Sequence, residues 1–385
     1  MPPRSASVDV GVLFSQSGVT AVVEETQRRA VLLAIDEVNA SGGIEGREIV
    51  TAQTDPRSDP RRFGTEAASL VASGVRTIFG CYMSSARRAV LPIVERGNAL
   101  LFYPTLYEGF EFSPNCIYSG AAPNQNSIVL ADYLMKTYGD RFYSVGSNYI
   151  FPYESNRIMR DLIQNRGGTV VDERYIPLVP DAEAISTIID EIARLTPTIV
   201  FSTVVGDGAT ALYRAYDRAG FDRTRMPIGS LTTGEPEIAA MGPDAGAGHI
   251  TSAPYFCSID TPENRRFVAA FRARYGPEAP ISACTEAAYF QVHMFAQAAR
   301  LSGSTKRQDI LAALAQIRFD APQGRVEVDW SSHHTYLTPR VARASQSGIF
   351  EIAYEAEHPL RPDPYMVEPS GETPWEAVRN RLVNR

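Results

Sequence analysis

The sequence predicts an α/β protein of two lobes, each a doubly wound parallel sheet with helices on both faces. The chain has 385 residues, which exceeds one ordinary hydrophobic core and favours two. Short apolar strands alternate with helices, and this βαβ alternation is typical of a parallel sheet covered on both faces. The alternation stops at Ala121–Asn126 (AAPNQN) and then restarts, which indicates passage into a second lobe.

The first lobe opens on a buried strand and continues as alternating units. Ser41-Gly42-Gly43 is a glycine end signal for the first helix, and Asp59-Pro60 begins the second. The predicted strands are Val8–Phe14, Glu48–Gln53, Val75–Phe79 and Leu100–Tyr103, and the predicted helices are Glu24–Asn39, Pro60–Ser73 and Ala86–Arg96.

The same alternation predicts the second lobe. Its predicted strands are Phe142–Gly146, Thr169–Ile176, Thr198–Val205 and Pro227–Leu231, and its helices are Tyr153–Arg166, Asp181–Leu195, Asp207–Ala219 and Pro236–Met241. His249–Phe256 is predicted to return to the first lobe, followed by helices at Thr261–Tyr275, Ile281–Leu301 and Arg307–Ile317, a β-rich tail at Gly324–Ala356 and an extended RPDPY segment.

A chain that passes between two such lobes more than once is typical of a hinged binding protein. We therefore predict lobes at residues 8–121 with 255–333 and at 122–254 with 338–367, joined by several hinge strands around a ligand cleft.

Composition argues against several classes of function. The net charge is −7 and the sequence shows no basic patch, which argues against direct binding of nucleic acid. No run approaches the length of a membrane span, and the four cysteines show no CxxC spacing. The first residues, MPPRSAS, run directly into a strand. We expect a cytoplasmic protein if Met1 is the native start and a periplasmic one if a signal segment was removed.

Two loops of the first lobe predict a ligand pocket. Loops at the carboxyl ends of parallel strands line the crevice where small ligands bind. The loops after Val75–Phe79 and Leu100–Tyr103 carry uncharged donors and rings, namely Tyr82, Ser84, Ser85, Tyr103, Thr105 and Tyr107. Ser84 or Ser85 would lie at a helix N-terminus, where free N–H groups favour an oxygen acceptor. We predict a small, polar, neutral ligand; the alternative is a capping serine with surface tyrosines.

The corresponding loop of the second lobe contains Tyr149 and Phe151. If this segment is extended, residues two apart point the same way, and both rings would face the cleft. The alternative places them at the edge of the core. Gly206-Asp207-Gly208-Ala209-Thr210-Ala211 fits a dinucleotide fingerprint, but the acidic residue expected after the next strand is missing. A tight turn that lets a loop approach the cleft is the better interpretation.

A glutamate in the turn before Pro236 bears on the ligand. Thr232 and Glu235 stand at capping-box spacing, and Thr233 between them is a candidate ligand-binding residue. Capping is the preferred interpretation. If instead Glu235 or Glu237 enters the cleft, its carboxylate would suit an ammonium group.

The sequence offers little for catalysis. It contains no G-x-S-x-G, H-E-x-x-H or P-loop motif, and His333-His334 lie side by side in a polar tail. We therefore predict a protein that is not an enzyme and that has no cofactor and no metal.

Nine blocks of sequence, in order, resemble the amide-sensing branch of the type I periplasmic-binding proteins. They are GCYMSSARRAVLPIVE, FYPTLYEGFEFSPN, AAPNQNS, GSNYIFPYESN, FSTVVGDGATALYRA, SLTTGEPEIAAM, PYFCSIDTP, DAPQGRVEVD and RPDPY, and the resemblance covers residues 8 to 367. The urea- and short-chain-amide-binding proteins of ABC importers look similar but less close.

The resemblance implies where a ligand binds. An amide would lie between the lobes against the residues at positions 82, 84, 103, 105, 149 and 204, which are Tyr82, Ser84, Tyr103, Thr105, Tyr149 and Val204. As our own hypothesis of the mechanism, the amide oxygen would accept from the Ser84 hydroxyl and from an N–H at the helix start. The sequence departs from the family at Phe151, where a tyrosine is usual, and at Leu106, where a proline is usual.

The resemblance also implies partners. The ligand would be acetamide, propionamide, butyramide or urea, and the receptor would regulate amidase expression through an RNA-binding antiterminator. A homodimer is possible. The alternative is the substrate-binding protein of an ABC importer for urea, short-chain amides or branched-chain amino acids, with a permease as partner. An amidase is a third alternative, disfavoured because no nucleophile pairs with a base.

Overall fold

Three β-sheets organise residues 7–366, which are the residues that the computed structural model describes. The first run of elements comprises β1 (Ser7–Leu13), α1 (Ala21–Ala40), β2 (Glu48–Thr54), α2 (Pro60–Ala72), β3 (Thr77–Gly80), α3 (Ser84–Arg96), β4 (Leu100–Tyr103) and β5 (Cys116–Tyr118). These strands form one wholly parallel sheet in the order β2-β1-β3-β4-β5, the centre of the first lobe.

The second run comprises α4 (Pro123–Tyr138), β6 (Arg141–Ser147), α5 (Ile150–Asn165), β7 (Thr169–Ile176), α6 (Ala182–Leu195), β8 (Ile199–Thr203), α7 (Asp207–Arg218), β9 (Ile228–Ser230), α8 (Glu235–Met241), α9 (Pro243–Gly246) and β10 (Ile250–Ala253). The chain continues with α10 (Pro262–Tyr275), α11 (Ala283–Ser302), α12 (Arg307–Leu314), β11 (Arg318–Ala321), β12 (Gly324–Val328), β13 (Thr335–Tyr336), β14 (Arg340–Ala344) and β15 (Phe350–Glu355).

The second lobe is built around a seven-stranded sheet in the order β15-β14-β10-β9-β8-β6-β7. Its β6 to β10 strands are parallel, and β14 and β15 add an antiparallel edge. A three-stranded sheet of β11, β12 and β13 completes the fold. The predicted α/β class with two largely parallel sheets is confirmed.

The first sheet is apolar on both faces because helices cover both. On β3, Phe79 faces the cluster formed with α1 and α11, whereas its neighbour Ile78 faces the cluster formed with α2 and α3. This alternation follows from the two-residue period of a strand. The continuous apolar strands from which the parallel sheet was predicted are therefore explained by burial on two sides.

The chain passes between the sheets three times: after β5, after β10 and between β13 and β14. These passages lie near the predicted limits of the lobes. The limits themselves stay a prediction, and Val367, the last residue of the predicted second lobe, lies outside the described residues. Within the described part, none of the helices combines the length and apolar character that a membrane span needs.

Two local predictions were wrong. Ala121–Asn126 was expected to be a break, but Pro123 begins α4, and the Gln125 side chain accepts a hydrogen bond from the Ala122 N–H at 2.9 Å. The segment from Tyr149 to Phe151 is not extended throughout, because Tyr149 is an extended N-cap residue and α5 starts at Ile150. Their rings nevertheless lie near each other, with centroids 6.2 Å apart.

Candidate ligand-binding cleft

Two adjoining cavities lie at the carboxyl ends of the central strands, where the lobes face each other. The larger has a volume of about 40 Å³ and the smaller about 10 Å³. Tyr82 and Leu106 of the first lobe and Thr232 of the second line both cavities. We treat the two cavities as parts of one cleft.

The smaller cavity brings together most of the residues predicted for the site. Of its lining, Tyr82, Ser84, Thr105, Tyr149 and Phe151 were predicted, and the others are Leu106, Val205 and Thr232. The cavity therefore draws on both lobes, as a hinged binding protein requires. Thr233, also predicted, lines the larger cavity.

Three predicted residues are not among the lining of either cavity. Ser85 is half-buried on α3. Tyr103 is fully buried and its hydroxyl donates to the Tyr82 carbonyl at 2.7 Å, so it supports the pocket from behind. Val204 is fully buried beneath the cleft, and its carbonyl accepts from the Thr232 hydroxyl at 3.1 Å. Tyr107, part of the same predicted loop, packs inside with its hydroxyl 2.5 Å from His334 Nε2.

Ser84 lies at the start of α3, as predicted, but it is not the cap. Met83 occupies the N-cap position, and no side chain caps this helix end. The Ser84 hydroxyl instead donates to Glu108 Oε2 at 2.5 Å and accepts from Arg87 Nη1 at 3.1 Å. Its proton is thus engaged within the protein. The predicted donation from Ser84 to a ligand would require this bond to break.

Behind Ser84 lies a buried ionic network that the sequence analysis missed. The Arg87 side chain is 0% exposed and pairs with Glu108 at 3.1 Å and with Glu111 at 2.7 Å. Although burial opposes its charge, these two carboxylates raise the pKa of Arg87 well above its usual value. No local pattern links Arg87 to glutamates 21 and 24 positions away, so no sequence signal was available.

Two glutamates of the second lobe line the larger cavity. Glu237 Oε2 accepts from the Gly234 N–H at 2.9 Å and caps α8, so the predicted pairing of Thr232 with Glu235 was wrong by two residues. Glu237 Oε1 is buried and has no hydrogen-bond partner among the described residues. Glu235 Oε1 accepts from the Cys257 N–H at 3.1 Å. Burial raises the pKa of Glu235 to about 7 and that of Glu237 to about 8.

Glu237→Gln is expected to flatten the pH dependence of stability. Burial raises the pKa of Glu237 from 4.5 to about 8 in the folded protein. Between these values the folded state keeps a proton that the unfolded state has released. The free energy of unfolding therefore falls as pH rises through this window, by up to about 1.4 kcal/mol per pH unit. Glutamine does not ionise, so this part of the slope is lost.

Unfolding by guanidinium chloride from about pH 5 to about pH 8 measures this slope. Glu278→Gln, at an exposed position, is the matched control and should leave the slope unchanged. An equal slope in wild type and Glu237→Gln would contradict the prediction.

The Gly206 turn brings the second lobe against the first. Gly206 has a φ of 60°, and a Cβ added there would lie 2.1 Å from the Val19 carbonyl oxygen. The next residue, Asp207, donates its N–H to the same oxygen at 3.3 Å. The turn is thus a close interlobe contact, in keeping with the interpretation preferred over a dinucleotide site.

No metal centre emerges from the described residues. Residues 7–366 contain no group of three or more His, Cys, Asp or Glu side chains placed to hold a metal. His249 and His334 are buried, and burial lowers the pKa of both to about 3, so they stay neutral. The tail histidine His334 stacks on Tyr118 with ring centroids 4.1 Å apart, which is a packing role.

Comparison with known proteins identifies the family. A family model described as a periplasmic binding protein domain matches residues 8–370. The chain belongs to this family. Its type I fold, with two α/β lobes and parallel sheets, agrees with the expectation from sequence.

Two relatives and one solved structure are similar to the chain. Leu/Ile/Val-binding protein homolog 6 of Brucella suis biovar 1 (strain 1330) is 26% identical over 335 residues, which are 85% of each chain. A limonene hydroxylase of Geobacillus stearothermophilus is 35% identical over 126 residues, which are 33% of this chain and only 23% of that protein. The solute-binding protein of an ABC transporter from R. palustris, in complex with benzoate, superposes with a TM-score of 0.82 at 23% identity, covering 93% of this chain and 98% of that one.

The family model shows the periplasmic binding family in general. The amide-sensing branch, the antiterminator partner and the cytoplasmic location stay predictions.

Proposed function

We propose that this protein is a non-catalytic solute-binding protein that holds a small, uncharged amide or urea between its lobes and delivers it to an ABC-type importer. The observation that carries the proposal is the smaller cavity. Five residues predicted to bind an amide, from both lobes, line it together: Tyr82, Ser84, Thr105, Tyr149 and Phe151. The lining combines hydroxyls with aromatic rings, which suits a polar head on a short alkyl group.

The size of the cleft supports a small ligand. Volumes of about 40 and 10 Å³ leave room for few heavy atoms. A ligand of about four heavy atoms gains at most about −1.5 kcal/mol per atom, or about −6 kcal/mol in total. Affinity in the tens of micromolar is therefore the tight limit.

The importer role is supported by the relatives. Leu/Ile/Val-binding protein homolog 6 aligns over most of its length, and the R. palustris solute-binding protein shares the fold. Neither observation favours a gene regulator. An importer role requires that the chain work outside the cytoplasmic membrane beside a permease, and cell fractionation tests this location.

A second candidate is an amide receptor that regulates amidase expression through an RNA-binding antiterminator. It is favoured by one observation: Tyr82, Ser84, Thr105 and Tyr149, which resemblance to the amide-sensing branch implies, all line one cavity. Both candidates bind the same ligand class, so their partners separate them. Co-purification with a permease supports the importer, and co-purification with an antiterminator supports the receptor.

Titration calorimetry tests the ligand class. We expect acetamide, propionamide, butyramide or urea to bind with a dissociation constant of tens of micromolar or weaker. Leucine and benzoate serve as comparison ligands and should bind at least about tenfold more weakly than the best amide. Ammonia release from propionamide should not exceed background. Tight binding of leucine with no binding of amides would make the chain an amino-acid carrier and overturn the proposal.

A further inference from the structure

The serine and threonine hydroxyls that line the smaller cavity share one property: each donates its proton to the protein. Ser84 donates to Glu108 at 2.5 Å, and Thr105 donates to the Cys81 carbonyl at 3.3 Å. Thr232 donates to a backbone carbonyl at 3.1 Å. A hydroxyl has one proton and two lone pairs, so these groups can meet a ligand only as acceptors while those bonds persist.

Ser84 is the most firmly fixed of the three. It lies between two charged side chains, because Arg87 Nη1 donates to its oxygen at 3.1 Å and Glu108 accepts its proton. The Arg87 and Glu108 side chains are 0% and 1% exposed, so water cannot replace either bond. Turning the hydroxyl toward a ligand would leave a buried carboxylate oxygen without this partner, which is unfavourable.

The charges around the cleft also argue against a carboxylate ligand. The free N–H groups of the first turn of α3 would favour an anionic ligand. Whether the cleft accepts a carboxylate therefore depends on the charged side chains around it. Arg87 and Arg88 are balanced by Glu108 and Glu111. The described residues that line the two cavities include no lysine, arginine or histidine, whereas the larger cavity includes two glutamates. Among the described residues that line the cleft, none carries a positive charge that could balance a carboxylate ligand.

Donors for a carbonyl oxygen come from the phenols. Tyr82 and Tyr149 both line the smaller cavity. Burial raises the pKa of each phenol well above its usual value, so both keep their protons. An amide can therefore direct its N–H groups to the serine and threonine oxygens and its carbonyl oxygen to a phenol.

We infer that Arg87 and Glu108 are positioning residues that hold Ser84 as a hydrogen-bond acceptor, so that the cleft selects a ligand head with N–H donors and rejects the carboxylate of the same shape. This inference rests on the proposed function. It reverses the hydrogen-bond direction expected from the sequence, in which Ser84 donates to the amide oxygen.

The test compares propionamide with propionate, which differ at the head group alone. In wild type, propionamide should bind at least about tenfold more tightly, the scale of one hydrogen bond and its unpaired partner. Glu108→Gln lets the new side-chain amide donate to Ser84 and frees the serine proton. The ratio of the two affinities should then fall by about tenfold.

Glu111→Gln is the matched control, because it removes the same charge from Arg87 without contacting Ser84 or lining a cavity. It should leave the ratio unchanged. If both variants lower the ratio of propionamide to propionate affinity equally, the loss of negative charge alone explains the change. That result would overturn the positioning role of Glu108. If wild type binds propionate as tightly as propionamide, the inference fails while solute binding stands.

Ser84→Ala gives a second measurement that does not depend on the folding of Glu108→Gln. As an acceptor, Ser84 contributes to amide binding alone, so the variant should lose about tenfold in propionamide affinity and none in propionate affinity. Equal losses for both ligands would show that Ser84 is a donor. Absence of binding by every amide and by urea would instead remove the proposed function, and the inference with it.

Discussion

Arg87→Met is expected to lower the free energy of unfolding by about 3–5 kcal/mol, because it leaves a buried carboxylate without its counter-ion. Glu108 is 1% exposed and pairs with Arg87 at 3.1 Å. The guanidinium also lies over the Tyr103 and Tyr107 rings, 4.8 and 4.6 Å from their centroids. Methionine keeps part of this packing, so the expected loss comes mainly from the unpaired charge. Unfolding by guanidinium chloride measures this loss.

Arg88→Met is the matched control on the same helix. Arg88 is 50% exposed and its nearest carboxylate, Glu111, is 3.7 Å away, so its loss should cost about 0–1 kcal/mol. The double variant Arg87→Met with Glu108→Gln should recover part of the loss, since a neutral pair in the core has less to desolvate. Equal effects of Arg87→Met and Arg88→Met would contradict the prediction.

Local patterns were sufficient to predict most of the fold. Strands such as Thr77–Gly80 are buried on both faces and therefore read as continuous apolar runs. The α4 helix was missed because its first turn, around Pro123, contains residues usual in loops. Proline has no N–H to lose in a first turn, so Pro123 fits a helix start as well as a loop.

The capping error at α8 was avoidable. With Thr232 as the cap, Pro236 would be the fourth helical residue, whose N–H normally donates to the capping residue's carbonyl. Proline has no such N–H, which excludes that register. With Gly234 as the cap, Pro236 falls in the first turn, where no N–H is needed, and Glu237 reaches back to the Gly234 N–H.

The position of the site could be predicted from the sequence, but the direction of its hydrogen bonds could not. Loops after parallel strands line a crevice in any open α/β sheet, so Tyr82, Ser84 and Thr105 could be assigned from order alone. The direction of the Ser84 hydrogen bond depends on Glu108, which is 24 residues away and carries no spacing signal. Long-range pairing of this kind follows from the packed structure.

Gly206→Ala is expected to weaken ligand binding at least about tenfold by preventing closure of the lobes. A Cβ at position 206 would lie 2.1 Å from the Val19 carbonyl oxygen, a backbone atom that cannot rotate away. The φ of 60° and ψ of −140° also belong to a region that glycine alone occupies readily. Calorimetry with propionamide measures the loss.

The first-lobe side of this contact is held firmly. Thr20, next to Val19, donates its hydroxyl to the buried Glu24 at 2.6 Å, and its N–H donates to Ser58 at 3.1 Å. The first-lobe segment at Val19 therefore cannot move away without breaking these hydrogen bonds. The added Cβ would instead force the two lobes apart. A ligand that contacts both lobes then binds more weakly, because the closed, binding-competent form becomes a smaller fraction of the population.

Gly220→Ala separates closure from backbone strain. Gly220 follows the other end of α7 and has a φ of 71°, but a Cβ there would meet nothing within 4 Å. Both variants should lose stability from the strained backbone, about 1–3 kcal/mol each. Gly206→Ala alone should lose affinity and the compaction that small-angle X-ray scattering detects when propionamide binds. Normal compaction and affinity in Gly206→Ala would show that the Val19 contact does not control closure.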